Sequence, residues 1–261
     1  MNRLARSCAA IALVALAVAS LSGQAGVPAA RSVRGGVELG EWRSYSADPA
    51  STKYAPLDRI NKSNVTQLRI AWRRPAVDPR LTSLDPVYKF ANNFRATPLM
   101  IDGVLYSPNG VGLVEAFDPG TGRTIWVQQP KGGAAGLRGE STRGLAYWRS
   151  GGDERLFVQR GETLSALNLK TGQPYSTFGD AGGVNLRLGS TEVYRWTGAP
   201  QVCRDVVIVG ASMSDSPPNK EGIPGDVRAY DVRTGRLRWT FHVIPREGEF
   251  GVDTWKDNSW Q

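Results

Sequence analysis

The stretch Ala229–Trp239, "AYDVRTGRLRW", reads as a strand, a tight Asp-to-Gly turn, and a second strand that ends in tryptophan. A near copy, "AFDPGTGRTIW", occupies residues 116–126, and a weaker one, "ALNLKTGQPYSTF", runs from 166 to 178. One such hairpin is an ordinary turn. Three at long intervals are a repeat, and a repeat decides the architecture before any local reading does. The Thr-Gly pairs fall at 121–122, 171–172 and 234–235, separated by 50 and 63 residues.

The sequence between the copies has the same plan. "TPLMIDGVLYSP" (97–108) is an apolar strand, an Asp-Gly turn and another strand, the strongest short-range hairpin signal. "RGLAYWRSGGDERLFVQRGETLSALNLKTG" (143–172) repeats it, and "GAPQVCRDVVIVGAS" (198–212) with the 229–239 hairpin makes a third unit. Four antiparallel strands per unit of this size describe a propeller blade. The expected blades span 95–126, 143–178 and 195–241, with Trp126 and Trp239 packed on neighbouring sheets. The Thr-Gly turn supplies a left-handed residue and leaves bare backbone against which an indole can lie. Upstream, 39–75 is expected to hold two short strands and a third ending in Trp72.

Composition agrees with a protein of short strands. Of 261 residues 30 are Gly and 16 Pro, and outside the N-terminus no stretch sustains helical periodicity. The first residues differ: Arg3 and Arg6 precede an apolar run from about Ala9 to Leu21, then small residues. This predicts a secretory signal peptide over 1–25, cut after Ala25, and a flexible lead-in over 26–36. A retained N-terminal anchor is the competing reading. Removal of the signal takes Cys8 with it and leaves Cys203 as the one thiol, read as a small buried hydrophobe. The net charge of +8 comes from dispersed Arg and Lys without a basic run, so with export it argues against a nucleic-acid partner. A docking face for an acidic redox partner is the minority alternative to a solvated basic surface.

The AxDxxTGxxxW hairpin resembles the tryptophan-docking motif of the pyrroloquinoline quinone (PQQ) dehydrogenases, an eight-bladed propeller family. The opening segment "SADPASTKYAPLDRINKSNVTQLRIAW" and the blocks "RGLAYW", "TFGDAGGVNL", "GAPQVCRDVVIVGAS" and "PGDVRAYDVRTGRLRWTFHVIP" match the family in order. The resemblance covers the mature chain and is closest in flavour to the membrane-associated sugar and polyol dehydrogenases. It implies an all-β, incomplete propeller of about three to four blades over 37–261.

It also implies the chemistry: PQQ accepting a hydride equivalent from an alcohol, sugar or polyol carbon, with Ca²⁺ polarising the quinone and an Asp as base. Electrons would pass to a cytochrome c or a membrane quinone, from a periplasmic enzyme. Arg143, in "STRGLAYW", matches the arginine that holds the cofactor, and a guanidinium fork suits a tricarboxylate. Thr197 in "WTGAP" and Ser212 in "VGAS" match hydroxyl donors. Asp215, in "SMSD", falls where the family places an acidic metal ligand. Leu137 and Arg138 stand where methanol-type enzymes carry a vicinal cysteine pair, and Arg95 stands where an acidic or amide residue is common. His242 is expected to be a partly exposed strand residue. The family's catalytic Asp is expected downstream of "DTWKDNSWQ", so the chain reads as an N-terminal portion, inactive alone. The alternative function is a non-enzymatic envelope propeller that binds other proteins; it would have no need of Arg143, Thr197, Ser212 and Asp215 together.

Overall fold

An Asp-Gly pair with both residues at positive φ closes a two-residue hairpin without splaying its strands. Asp102 (φ 47°) and Gly103 (φ 76°) do this between β1 (Leu99–Ile101) and β2 (Val104–Pro108). The computed structural model describes residues 37–91, 94–140, 142–187, 198–212 and 225–260. Within them β1 and β2 continue antiparallel into β3 (Val114–Phe117) and β4 (Thr124–Val127). The second sheet is β5 (Leu145–Ser150), β6 (Asp153–Arg160), β7 (Thr163–Asn168) and β8 (Gly183–Asn185). The third is β9 (Gln201–Cys203), β10 (Val206–Gly210), β11 (Val227–Asp231) and β12 (Leu237–Phe241). Three four-stranded antiparallel sheets in chain order are three propeller blades, as the repeat implies.

Successive strand residues point to opposite faces, and β6 uses both. Leu156 and Val158 join Leu99, Tyr106, Val114 and Trp126 in the core between the first two blades. Phe157 joins Phe178, Val207, Val209 and Tyr230 between the second and third. A parallel bridge, Thr97 to Gly144, ties together the residues that lead into the first strands of these neighbours.

The Thr-Gly turns are the same object three times. Asp118 accepts from the backbone N–H and hydroxyl of Thr121, Asn168 does so for Thr171, and Asp231 for Thr234. Gly122, Gly172 and Gly235 adopt φ of 70°, 70° and 71°. Each left-handed glycine receives a different visitor. A Cβ on Gly122 would lie closer than 3.0 Å to the Trp72 indole, and one on Gly172 would do the same to Trp126. The indole N–H of Trp72 donates to the Pro119 carbonyl (2.8 Å), and that of Trp126 to Leu169 (3.0 Å). The weak copy has Phe178 where Trp would stand, and its turn partner is rebuilt accordingly. Gly179 packs on Gly235 and donates to the Thr234 carbonyl (2.9 Å). The carbonyl equivalent to those of Pro119 and Leu169 is that of Val232, and it receives Nη1 of Arg155 (3.1 Å). Arg155 also donates to the Arg233 carbonyl and lies 4.0 Å over the Tyr175 ring. A guanidinium and a glycine thus substitute for one indole.

Four expectations are corrected. The fourth strand of the second blade is Gly183–Asn185, not a strand ending at Phe178. Pro174 has no N–H for a ladder, and Gly179, Ala181 and Gly182 all take positive φ. Trp126 is 8% exposed, but Trp239 is 42% exposed, with no glycine turn against it among the described residues. Residues 39–75 contain no strand; Trp42 makes one bridge to Met100, and residues 68–72 pair with no described strand. Cys203 is exposed, because the alternation along β9 turns Val202 inward and Cys203 outward. His242 lies just past β12, its Nδ1 2.7 Å from Oε1 of Glu249. Trp239→Ala is expected to change the unfolding free energy by under about 1 kcal/mol, as for an exposed side chain, read as a denaturant midpoint.

Candidate functional site

Arg143 is separated from β5 by Gly144 alone, and its backbone is fixed from three sides. Its carbonyl accepts from the Thr97 N–H (2.8 Å). Thr142 is buried, and a Cβ on Gly144 would press closer than 3.0 Å to the Tyr45 ring. The side chain is exposed and makes no hydrogen bond or ion pair to any described residue. A rigid backbone carrying an uncommitted guanidinium is an arrangement for gripping an anion.

Ser212 is half-buried and follows the end of β10. Because β10 runs antiparallel to β9, with Ile208 opposite Gln201, the end of β10 and the start of β9 share one end of their blade. Arg143, at the start of β5, occupies the corresponding end of the neighbouring blade. Thr197 and Asp215 lie outside the described residues. So do residues 1–36, which carry the expected signal peptide.

The segment before Arg143 explains the two positions that depart from the methanol-type pattern. Leu137 is buried with Val77, Leu81, Val111, Leu113 and Val127. It anchors the loop into the first blade. The Arg138 side chain is exposed, while its carbonyl accepts from Nη2 of Arg160 (2.6 Å). Arg95 is exposed.

A concavity of about 360 Å³ is lined by Trp72, Arg74, Phe94, Asn109, Glu115 and Phe117 among others. Its charges are already spent on one another. Glu115 accepts from the Asn109 side chain (2.8 Å) and the Asp78 N–H (2.9 Å), and pairs with Arg74. Burial raises the pKa of Glu115 above the usual carboxylate range. Burial also opposes ionisation of Asp78, but hydrogen bonds from Arg80 and Thr124 outweigh it and lower that pKa to about 2. Arg74 lies 4.2 Å over the Phe117 ring. This closed network fastens the segment holding Trp72 to the first blade and leaves no group over for chemistry. Among the described residues no three His, Cys, Asp or Glu side chains gather as a metal site.

Sequence reasoning missed Arg155 and Arg160, whose guanidinium groups address backbone carbonyls of a different blade. The only available signal was an arginine on either side of the short apolar run Leu156–Val158 in β6.

The comparisons with known proteins agree with the propeller fold. Residues 42–261 match the family described as "PQQ: Glucose/ethanol/alcohol dehydrogenase, beta-propeller domain". The chain is 32% identical over 253 residues to quinohemoprotein alcohol dehydrogenase ADH-IIG of Pseudomonas putida, covering 91% of this chain and 32% of that one. It is 30% identical over 294 residues to methanol dehydrogenase [cytochrome c] subunit 1 of Methylorubrum extorquens, covering 100% of this chain and 42% of the relative. The crystal structure of quinohemoprotein alcohol dehydrogenase from Comamonas testosteroni superposes with a TM-score of 0.61 at 26% identity, over 80% of this chain and 28% of that one. The chain therefore spans well under half the length of these relatives. With three four-stranded blades, indoles docked on the glycine turns of two of them, and a family match over 42–261, this chain belongs to the PQQ-dependent alcohol dehydrogenase propeller family.

Proposed function

We propose that the chain is the N-terminal part of an exported, periplasmic quinoprotein dehydrogenase that oxidises an alcohol, with Arg143, Thr197 and Ser212 holding PQQ and Asp215 contributing to a Ca²⁺ site. The observation that carries this reading is Arg143: a guanidinium on a fixed backbone with no partner among the described residues. The donor set fits the group. An oxygen-rich polyanion calls for a cationic fork and hydroxyl donors, and a hard divalent cation calls for carboxylate oxygen.

In this reading the chain's own residues bind and orient. Arg143 would neutralise a carboxylate of the cofactor, and the hydroxyls of Thr197 and Ser212 would donate to its oxygens. Bound PQQ would supply the two-electron acceptor that no amino-acid side chain provides. Among the relatives, the names methanol dehydrogenase and alcohol dehydrogenase favour a simple alcohol over a sugar or polyol as the substrate class. Cytochrome c and quinone both appear in those names, and either is a fitting electron acceptor here.

The test is a PQQ titration of residues 26–261, followed by tryptophan fluorescence in the presence of Ca²⁺. A charge-assisted hydrogen bond contributes about 1.5–3 kcal/mol, so Arg143→Ala should weaken binding roughly 10- to 100-fold. Equal affinity in the two proteins would remove Arg143 from the site.

A further inference from the structure

Arg160 closes β6 in the second blade, yet its side chain belongs to the first. Its Nε donates to the Val111 carbonyl (2.9 Å), and its Nη2 to the carbonyls of Gly136 (2.8 Å) and Arg138 (2.6 Å). One planar fork therefore joins two loops, 109–112 and 136–140. The price of placing a guanidinium there shows in its pKa, which burial lowers while Glu140 acts in the opposite direction. The group stays charged, since an arginine begins so far above neutrality, and the three carbonyl dipoles solvate it in place of water.

The loop held this way passes through gaps that admit only bare backbone. A Cβ on Gly112 (φ 78°) would come closer than 3.0 Å to the Glu140 carbonyl oxygen, and one on Gly139 would meet the backbone of Phe90 and Ala91. Leu137 fills the core below. Five residues after Arg138 the chain reaches Arg143, where the Thr97 hydrogen bond takes over.

We propose that Arg160 is a positioning residue: its fork holds residues 136–140 on the first blade and thereby sets the place at which Arg143 presents its guanidinium. The proposal rests on the reading of Arg143 as the anion-holding group. Lysine keeps the charge at position 160 but has no planar fork and cannot reproduce three donors in this geometry.

The experiment compares the unaltered protein with Arg160→Lys and Arg160→Met by hydrogen exchange and mass spectrometry, well below the unfolding temperature. Peptides over 131–144 report on the loop, and those over 153–168 on the strands behind it. Exchange in the loop about tenfold faster, with 153–168 unchanged, supports the proposal. No change in the loop overturns it. Equal acceleration of both regions also overturns it, because Arg160 would then hold only the fold. A second arm titrates PQQ: Arg160→Lys should weaken binding about tenfold, and should add nothing in an Arg143→Ala background. An undiminished loss in that background overturns action through Arg143. If the unaltered protein binds no PQQ, the cofactor reading falls and hydrogen exchange alone decides the role of Arg160.

Discussion

Trp126→Ala is expected to destabilise the propeller by about 3–5 kcal/mol, the range for truncating a large buried aromatic. Against a total stability of about 5–15 kcal/mol, that is enough to unfold a marginal chain. Three losses coincide at this position. The indole is 8% exposed and shares the core between the first two blades with Leu99, Leu156 and Leu167. Its ring lies 5.9 Å from that of Tyr106 in a tilted pair. Its N–H is the partner of the Leu169 carbonyl, which truncation would leave without that donor. Gly172→Ala approaches the same interface from the other side: alanine at φ 70° is strained, and its methyl would press on the Trp126 ring. Chemical denaturation of the three proteins, followed by far-ultraviolet circular dichroism, measures both effects. A loss under about 1 kcal/mol for Trp126→Ala would mean that the blades are held by something other than indole docking.

The contrast with Trp239 shows what the sequence makes legible. Both tryptophans close the same AxDxxTGxxxW motif, and the motif reports the turn correctly in each case: Asp118 and Asp231 cap their threonines alike. Whether an indole is buried depends on the glycine turn of another blade, and that partner is not in the motif. The same limit hides the rebuilt joint between the second and third blades. Phe178 weakens the repeat visibly, but nothing in "DERLFVQR" says that Arg155 will reach across to the carbonyls of Val232 and Arg233. Backbone acceptors have no sequence signature, so long-range guanidinium clamps such as Arg155 and Arg160 emerge only once the blades are placed. The place of Arg143 at the head of a strand was legible because a short block, "RGLAYW", carries both the arginine and the strand that follows it. Cys203 was misread for a local reason: a strand of three residues has too few alternations to declare which face is inside.

The 261-residue chain, supplied with PQQ and Ca²⁺, is expected not to oxidise alcohols at a rate comparable to the relatives it resembles. Alcohol oxidation needs a base within hydrogen-bond reach of the substrate hydroxyl, and such a group typically contributes about 10²–10⁴ in rate. The buried carboxylates among the described residues are committed elsewhere. Asp78 and Glu115 belong to the network around Arg74. Glu154 accepts from the Tyr147 hydroxyl (2.8 Å), and Asp226 faces Arg228 and Arg246 at 3.9 and 3.8 Å. None of these stands with Arg143. The relatives' activity, moreover, is that of chains of which this one covers 32% and 42%. The measurement is dye reduction by residues 26–261 with ethanol, glycerol and glucose. Turnover comparable to a complete enzyme would require a base among the residues present, and Glu140, three residues before Arg143 in the sequence, would then be the first to replace.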